Sequence, residues 1–206
     1  MTTEQIADIT LTTTVVSQMM NNVYLLERGA DRVLIDAANE PERLLEVIGD
    51  EPLQTVITTH RHPDHIGALA EVAAATGARL ICGRPDKDAI DAATGTTSES
   101  VWTGDTIRQG SIELEVIGLV GHTPGAIALA LRTEGNPVYL FSGDSLFPGG
   151  PGKTNTPGDF TSLMDDLETR IFGVFGDDTV VLPGHGDRTT LGAERPHLGE
   201  WRERGW

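Results

Sequence analysis

The chain has 206 residues, enough to bury a substantial core in a single domain spanning residues 1–206. Its 31 acidic residues outnumber its 15 Lys and Arg, giving a formal net charge of −16, and the bases do not cluster, so a phosphate backbone would be repelled and nucleic acid is disfavoured as a partner. One cysteine precludes an internal disulfide framework, and no secretory leader or membrane-length apolar run is visible, so the expectation is a cytoplasmic protein without a membrane partner.

Strands open the chain. Residues 9–16, 22–28 and 32–36 are rich in β-branched residues, with Gly29-Ala30-Asp31 as a turn, and predict an antiparallel meander. Pro41 stands at a first-turn position ahead of Leu44, Leu45 and Ile48, which share one helical face. Residues 55–58 form a strand that leads into Thr59-His60-Arg61-His62-Pro63-Asp64-His65, followed by a helix over 66–75 with Gly77 as its C-terminal cap. A strand resumes at 78–82 and carries Cys82 as a buried, inert thiol, whereas the polar residues 94–100 lack apolar periodicity and read as a loop.

A second sheet starts where Ile112, Leu114 and Val116 alternate with Glu113 and Glu115, and residues 126–131 and 138–141 continue it across a turn at 134–137. Asp159 reads as the N-cap of a helix whose Phe160, Leu163, Met164, Leu167, Ile171 and Phe175 recur at core spacings of three and four. The last strand, 179–182, runs into Pro183-Gly184-His185-Gly186, and an amphipathic segment closes the chain. The economical packing of these elements is an α+β arrangement, two β-sheets face to face with helices outside.

The chemistry concentrates after strands. His60, His62, Asp64 and His65 place four potential ligands within six residues; imidazole and carboxylate together suit zinc, manganese or iron. The alternation lets His60 and His62 face one ion while Asp64 and His65 reach a second. Three further strand ends carry ligand types: His122 in Gly-His-Thr-Pro-Gly, Asp144 in Phe-Ser-Gly-Asp, and His185 in Pro-Gly-His-Gly. Any one of these alone reads more simply as a hydrogen-bonded histidine or a turn-capping aspartate; together they point to a metal site. Of the six histidines only His197 lies outside these motifs, and it reads as a surface residue.

In this order the motifs resemble the metallo-β-lactamase-fold hydrolase superfamily across essentially the whole chain, and within it the glyoxalase II-like (hydroxyacylglutathione hydrolase-like) branch. Residues 141–154 and 183–195 carry the likeness to that branch. The resemblance implies a four-layer αββα sandwich with the metal site at one edge of the two sheets. It implies two divalent metal ions, zinc first with iron or manganese as alternatives: His60, His62 and His122 on one, Asp64, His65 and His185 on the other, and Asp144 between them. Asp64 and Asp144 are then the catalytic candidates, Asp36 supports the histidine loop, and Lys153 contacts a substrate carboxylate. A turn aspartate and a solvated lysine are the competing readings of Asp36 and Lys153.

A site of this kind supplies activated water without a protein nucleophile, and a thiolate leaves without a general acid. The expected reaction is therefore hydrolysis of a thioester, a hydroxyacyl conjugate of a small thiol. Glyoxalase II carries a further helical region, whereas this chain ends about twenty residues after His185; Asn155 and Ala126 also replace an aromatic residue and a His or Ser common in the branch. Another small thiol, an ester or a lactone thus competes with glutathione. Two alternatives stay open: a persulfide dioxygenase-like oxidoreductase with one iron on His60, or an equivalent motif histidine, with His122 and Asp144, and lactonase or β-lactamase activity on the same dinuclear site. Oligomeric state, metal identity and the role of the 83–101 loop are not legible.

Overall fold

The structure is a computed structural model that describes residues 1–205. Strands β1 (Thr2–Ile6), β2 (Ile9–Val16), β3 (Asn21–Arg28) and β4 (Asp31–Ile35) form the antiparallel meander. Helix α1 (Pro41–Ile48) leads to β5 (Thr55–Thr58), helices α2 (Pro63–Ile66) and α3 (Leu69–Thr76) lead to β6 (Arg79–Gly83), and α4 (Lys87–Thr94) leads to β7 (Glu99–Val101). These three strands add in parallel, completing a seven-stranded sheet in chain order.

The second sheet holds six strands. β8 (Thr106–Gln109), β9 (Ile112–Gly118), β10 (Ile127–Leu131) and β11 (Tyr139–Gly143) run antiparallel, after which β12 (Leu146–Phe147) and β13 (Gly150–Pro151) make a separate hairpin. Helix α5 (Pro157–Asp166) passes into a π-helical segment, Leu167–Phe172, before β14 (Val180–Pro183) pairs parallel to β11 and β15 (Thr189–Thr190) forms the edge. Helices α6 (Leu191–Glu194) and α7 (Leu198–Arg204) follow.

Side-chain alternation explains the layering. In β3, Tyr24 and Leu26 face the core between the sheets, while Val23 and Leu25 face α1 and α3 outside; in β10, Ile127, Leu129 and Leu131 point inward, and Ala128 and Ala130 leave room for α5 outside. Phe141 meets Tyr24 across the central core at a ring separation of 5.1 Å and 64°. Three apolar layers thus separate helices, sheet, sheet and helices: the four-layer αββα sandwich. Among the described residues no helix is long and apolar enough to cross a membrane.

Local readings of the chain change in four places. The 83–101 loop is largely regular: a 3₁₀ turn (Arg84–Asp86), α4 and β7 fill it. The helix after the histidine loop is broken into α2 and α3 at Ala68, whose amide donates to the Ala37 carbonyl at 3.0 Å in place of a bond within the helix. The cap of α5 is Thr156, whose hydroxyl accepts from the Asp159 amide at 3.1 Å; Asp159 sits inside the first turn. Strands β1, β7 and β8 add to those expected, and Gly77 caps α3 as its left-handed φ of 67° requires.

Candidate metal centre

The parallel pairs β4–β5 and β11–β14 aim their C-terminal ends at one edge of the sandwich, where Asp36, the histidine loop, Asp144 and His185 follow the strands directly. The β9–β10 loop adds His122. In the histidine loop His62 is the N-cap residue of α2 and Pro63 its first residue, so the short helix turns Asp64 and His65 back onto the edge.

All seven expected ligands meet here. His60 Nε2 lies 3.0 Å from His62 Nδ1 and 3.3 Å from His122 Nε2. His65 Nε2 lies 3.2 Å from His185 Nε2, which is 3.2 Å from Asp64 Oδ2. Asp144 touches both sets, with Oδ1 3.3 Å from His65 and Oδ2 3.6 Å from His122 and 3.4 Å from His185. Within each of the groups His60–His62–His122, Asp64–His65–His185 and His60–His65–Asp144, the ligand atoms lie within 4.8 Å of one another.

The outer ring nitrogens decide what the inner ones present. His122 Nδ1 donates to the Lys153 carbonyl at 2.7 Å, His185 Nδ1 to the Met19 carbonyl at 2.8 Å, and His65 Nδ1 to Asp36 Oδ2 at 2.8 Å. The Thr59 hydroxyl donates to Asp36 at 2.8 Å and so accepts from His60 Nδ1 at 3.1 Å. With Nδ1 donating outward, each ring when neutral turns its Nε2 lone pair inward, so that His60 faces His122 and His65 faces His185 at separations where two acceptors repel. Asp144 Oδ1 is buried beside them without a hydrogen-bond partner. Converging imidazole lone pairs and an orphaned carboxylate oxygen are what a divalent cation satisfies, and the donor set suits zinc or iron.

Electrostatics differ across the centre. Burial, reinforced by the neighbouring rings, lowers the pKa of His60 well below the ordinary histidine value and also lowers those of His62 and His122. Burial opposes charge at His65 too, but the carboxylates of Asp36 and Asp144 outweigh it and push that ring up to about 10; Asp144 likewise raises His185 against its burial. The Asp144 carboxyl is held low by His185 and His65 despite its own burial. The negative field that retains a proton on His65 favours a metal cation in its place.

Asp36 has a left-handed backbone, φ 59°, which costs a non-glycine residue ~1–2 kcal/mol. Its carboxylate accepts from the Thr59 amide at 2.7 Å, the Thr59 hydroxyl and His65, locking the histidine loop to the end of β4. Lys153 is exposed and lines a cavity of about 460 Å³ that opens on His122, Asp144 and His185, with Met19, Phe147 and Arg204 also on its walls. His197 lies exposed on the surface, bonded to Glu200.

Other contributors lie outside the ligand motifs. Asn21, fully buried, donates to Asp64 Oδ2 at 2.9 Å and accepts from the Ser17 hydroxyl at 2.6 Å. Asn22 donates to the carbonyls of Pro183 and Gly186, and Tyr24 to that of Pro183, pinning the His185 loop. Two asparagines at the head of an apolar strand were the available signal: buried amides need partners. Gly184 makes space, since a Cβ there would lie 2.2 Å from Asp144 Oδ1.

The metallo-beta-lactamase superfamily model matches residues 16–185. The chain belongs to the metallo-β-lactamase superfamily. Among superfamily relatives, hydroxyacylglutathione hydrolase GloC of Haemophilus influenzae is 31% identical over 185 residues, covering 79% of this chain and 83% of the relative. The solved structure of TTHA1623 in a di-iron-bound form is 32% identical with a TM-score of 0.74, covering 89% of this chain and 96% of that one. ETHE1 from Myxococcus xanthus is 28% identical with a TM-score of 0.79, covering 94% and 84%. The protein is thus a metallo-β-lactamase superfamily hydrolase with a histidine-rich candidate metal site.

Proposed function

We propose that this hydrolase cleaves a thioester, a hydroxyacyl conjugate of a small acidic thiol, at a centre for two divalent ions. The observation that carries the reading is the convergence of imidazole nitrogens from five histidines around the unpartnered Asp144 oxygen. Relatives named hydroxyacylglutathione hydrolase support the reaction class. In this reading His60, His62 and His122 would hold one ion, Asp64, His65 and His185 the other, and Asp144 both. Zinc suits the donors, and iron is supported by the di-iron-bound relative. When bound, such ions act as Lewis acids and provide activated water near neutral pH.

The chain's own groups do the rest. Asn21 fixes the Asp64 carboxylate, so its oxygens are oriented toward attacking water instead of rotating freely. Lys153 borders the cavity as a cation, and among the described residues Asp144 is the one acid on its walls in a chain of net charge −16, so an anionic conjugate is favoured there. Met19 and Phe147 supply apolar walls that shed water from the reacting carbonyl. A thiol with a free pKa near ~8.5 departs as thiolate without a protein acid. Cys82 takes no part: it is buried on β6, and burial pushes its thiol up to about 11.

Metal analysis with a substrate panel tests this. Two ions per chain and release of free thiol from S-lactoylglutathione or an S-lactoyl ester of another acidic thiol are expected. A single iron with oxygen uptake on a persulfide, or turnover confined to lactones and β-lactams, would sink the assignment.

A further inference from the structure

The His60–His62–His122 half of the centre rests on a residue outside every ligand motif. Asp86 ends the 3₁₀ turn between β6 and α4 and is fully buried. Its Oδ2 accepts from the Thr123 hydroxyl at 2.6 Å and the Arg61 amide at 3.2 Å, and its Oδ1 from the Gly125 amide at 3.0 Å. The Arg61 guanidinium lies 3.7 Å from Oδ1. Arg61 sits between His60 and His62, and Thr123 follows His122. One carboxylate therefore ties together the two loops that carry all three imidazoles.

The packing is cut to fit this contact. A Cβ on Gly125 would lie 2.3 Å from the Asp86 amide nitrogen and 2.7 Å from its Cγ, and one on Gly83 would lie 1.9 Å from the Gly125 carbonyl oxygen. The glycine of Gly-His-Thr-Pro-Gly thus serves Asp86 as well as its own turn. A carboxylate taken out of water loses much of its solvation. Three hydrogen bonds and a guanidinium offset that loss, and each donor belongs to a ligand-bearing loop. Asp36 grips the His65 ring itself, whereas Asp86 holds the loops on which His60, His62 and His122 stand.

We propose that Asp86 is the positioning residue of the His60–His62–His122 half and sets its metal affinity separately from the Asp64–His65–His185 half. The proposal rests on the two-ion reading above; a wild-type chain that bound no divalent ion would defeat that reading first. The test uses two backgrounds, His185→Ala and His62→Ala, which impair one half each, and titrates zinc into metal-free protein against a chromophoric chelator. Asp86→Asn should weaken binding about 10–100-fold in the His185→Ala background and by less than about threefold in the His62→Ala background, whereas Asp36→Asn, which alters the acceptor of both His65 and the Thr59 hydroxyl behind His60, should weaken it in both. Thr123→Val, which deletes the shortest of the three bonds, should shift affinity the same way as Asp86→Asn and serves if that variant fails to fold. Equal weakening by Asp86→Asn in both backgrounds, or unchanged zinc affinity with only a lower metal-free melting temperature, would overturn the proposal.

Discussion

His60 and His65 are equally buried, 1% and 0% exposed, yet their protonation is biased in opposite directions. Behind His60 stands the Thr59 hydroxyl; behind His65 stands the Asp36 carboxylate. Burial alone favours the neutral ring, and a carboxylate in hydrogen-bonding contact reverses that preference. The lesson extends to the halves each ring belongs to. One is a nest of neutral imidazoles braced by Asp86 at its loops; the other is a mixed set in which Asp36, Asp64 and Asp144 surround the rings with negative charge.

The hardest way to break this division is to remove the one residue common to both halves. Asp144→Ala should lower kcat/KM by at least about a thousandfold, several kcal/mol of transition-state stabilisation, and reduce metal content in the same preparation. Normal turnover by that variant would refute the shared role. Asn21→Ala sharpens the comparison, because its amide reaches Asp64 and His185 and neither His60 nor His62. About a tenfold fall in kcat, with KM little changed, is expected from steady-state kinetics. Cys82 supplies the smallest signal: here burial is the leading influence and keeps the thiol protonated, so iodoacetamide at pH 8 should leave the folded chain unlabelled and modify it only after denaturation.

What the sequence discloses follows the range of the interactions involved. The candidate ligands are readable because four of them crowd into one loop and the others follow apolar strands, and the meander because Ile9, Leu11, Tyr24 and Leu26 alternate with residues of the other face. Asp86 was hidden: it follows an arginine and a proline in a polar stretch, and its partners are 25 to 39 positions away. Edge strands such as β1, Thr-Thr-Glu-Gln-Ile, carry little apolar pattern because only one neighbour and one face constrain them. The sequence pattern puts the cap of α5 three residues late because Thr156 and Asp159 are both capping types and bond each other, side chain to side chain, at 2.8 Å; Pro157 at the first helical position is the deciding clue.

Gly184 gives the centre a vulnerability of another kind. A methyl group there carries no charge and removes no donor, yet it would claim the volume that Asp144 Oδ1 and His65 Cε1, 2.2 and 2.7 Å from its ideal position, already fill. The centre is moulded by an omitted atom as much as by its imidazoles and carboxylates. A chemically silent substitution at that position can disable it as thoroughly as the deletion of a ligand.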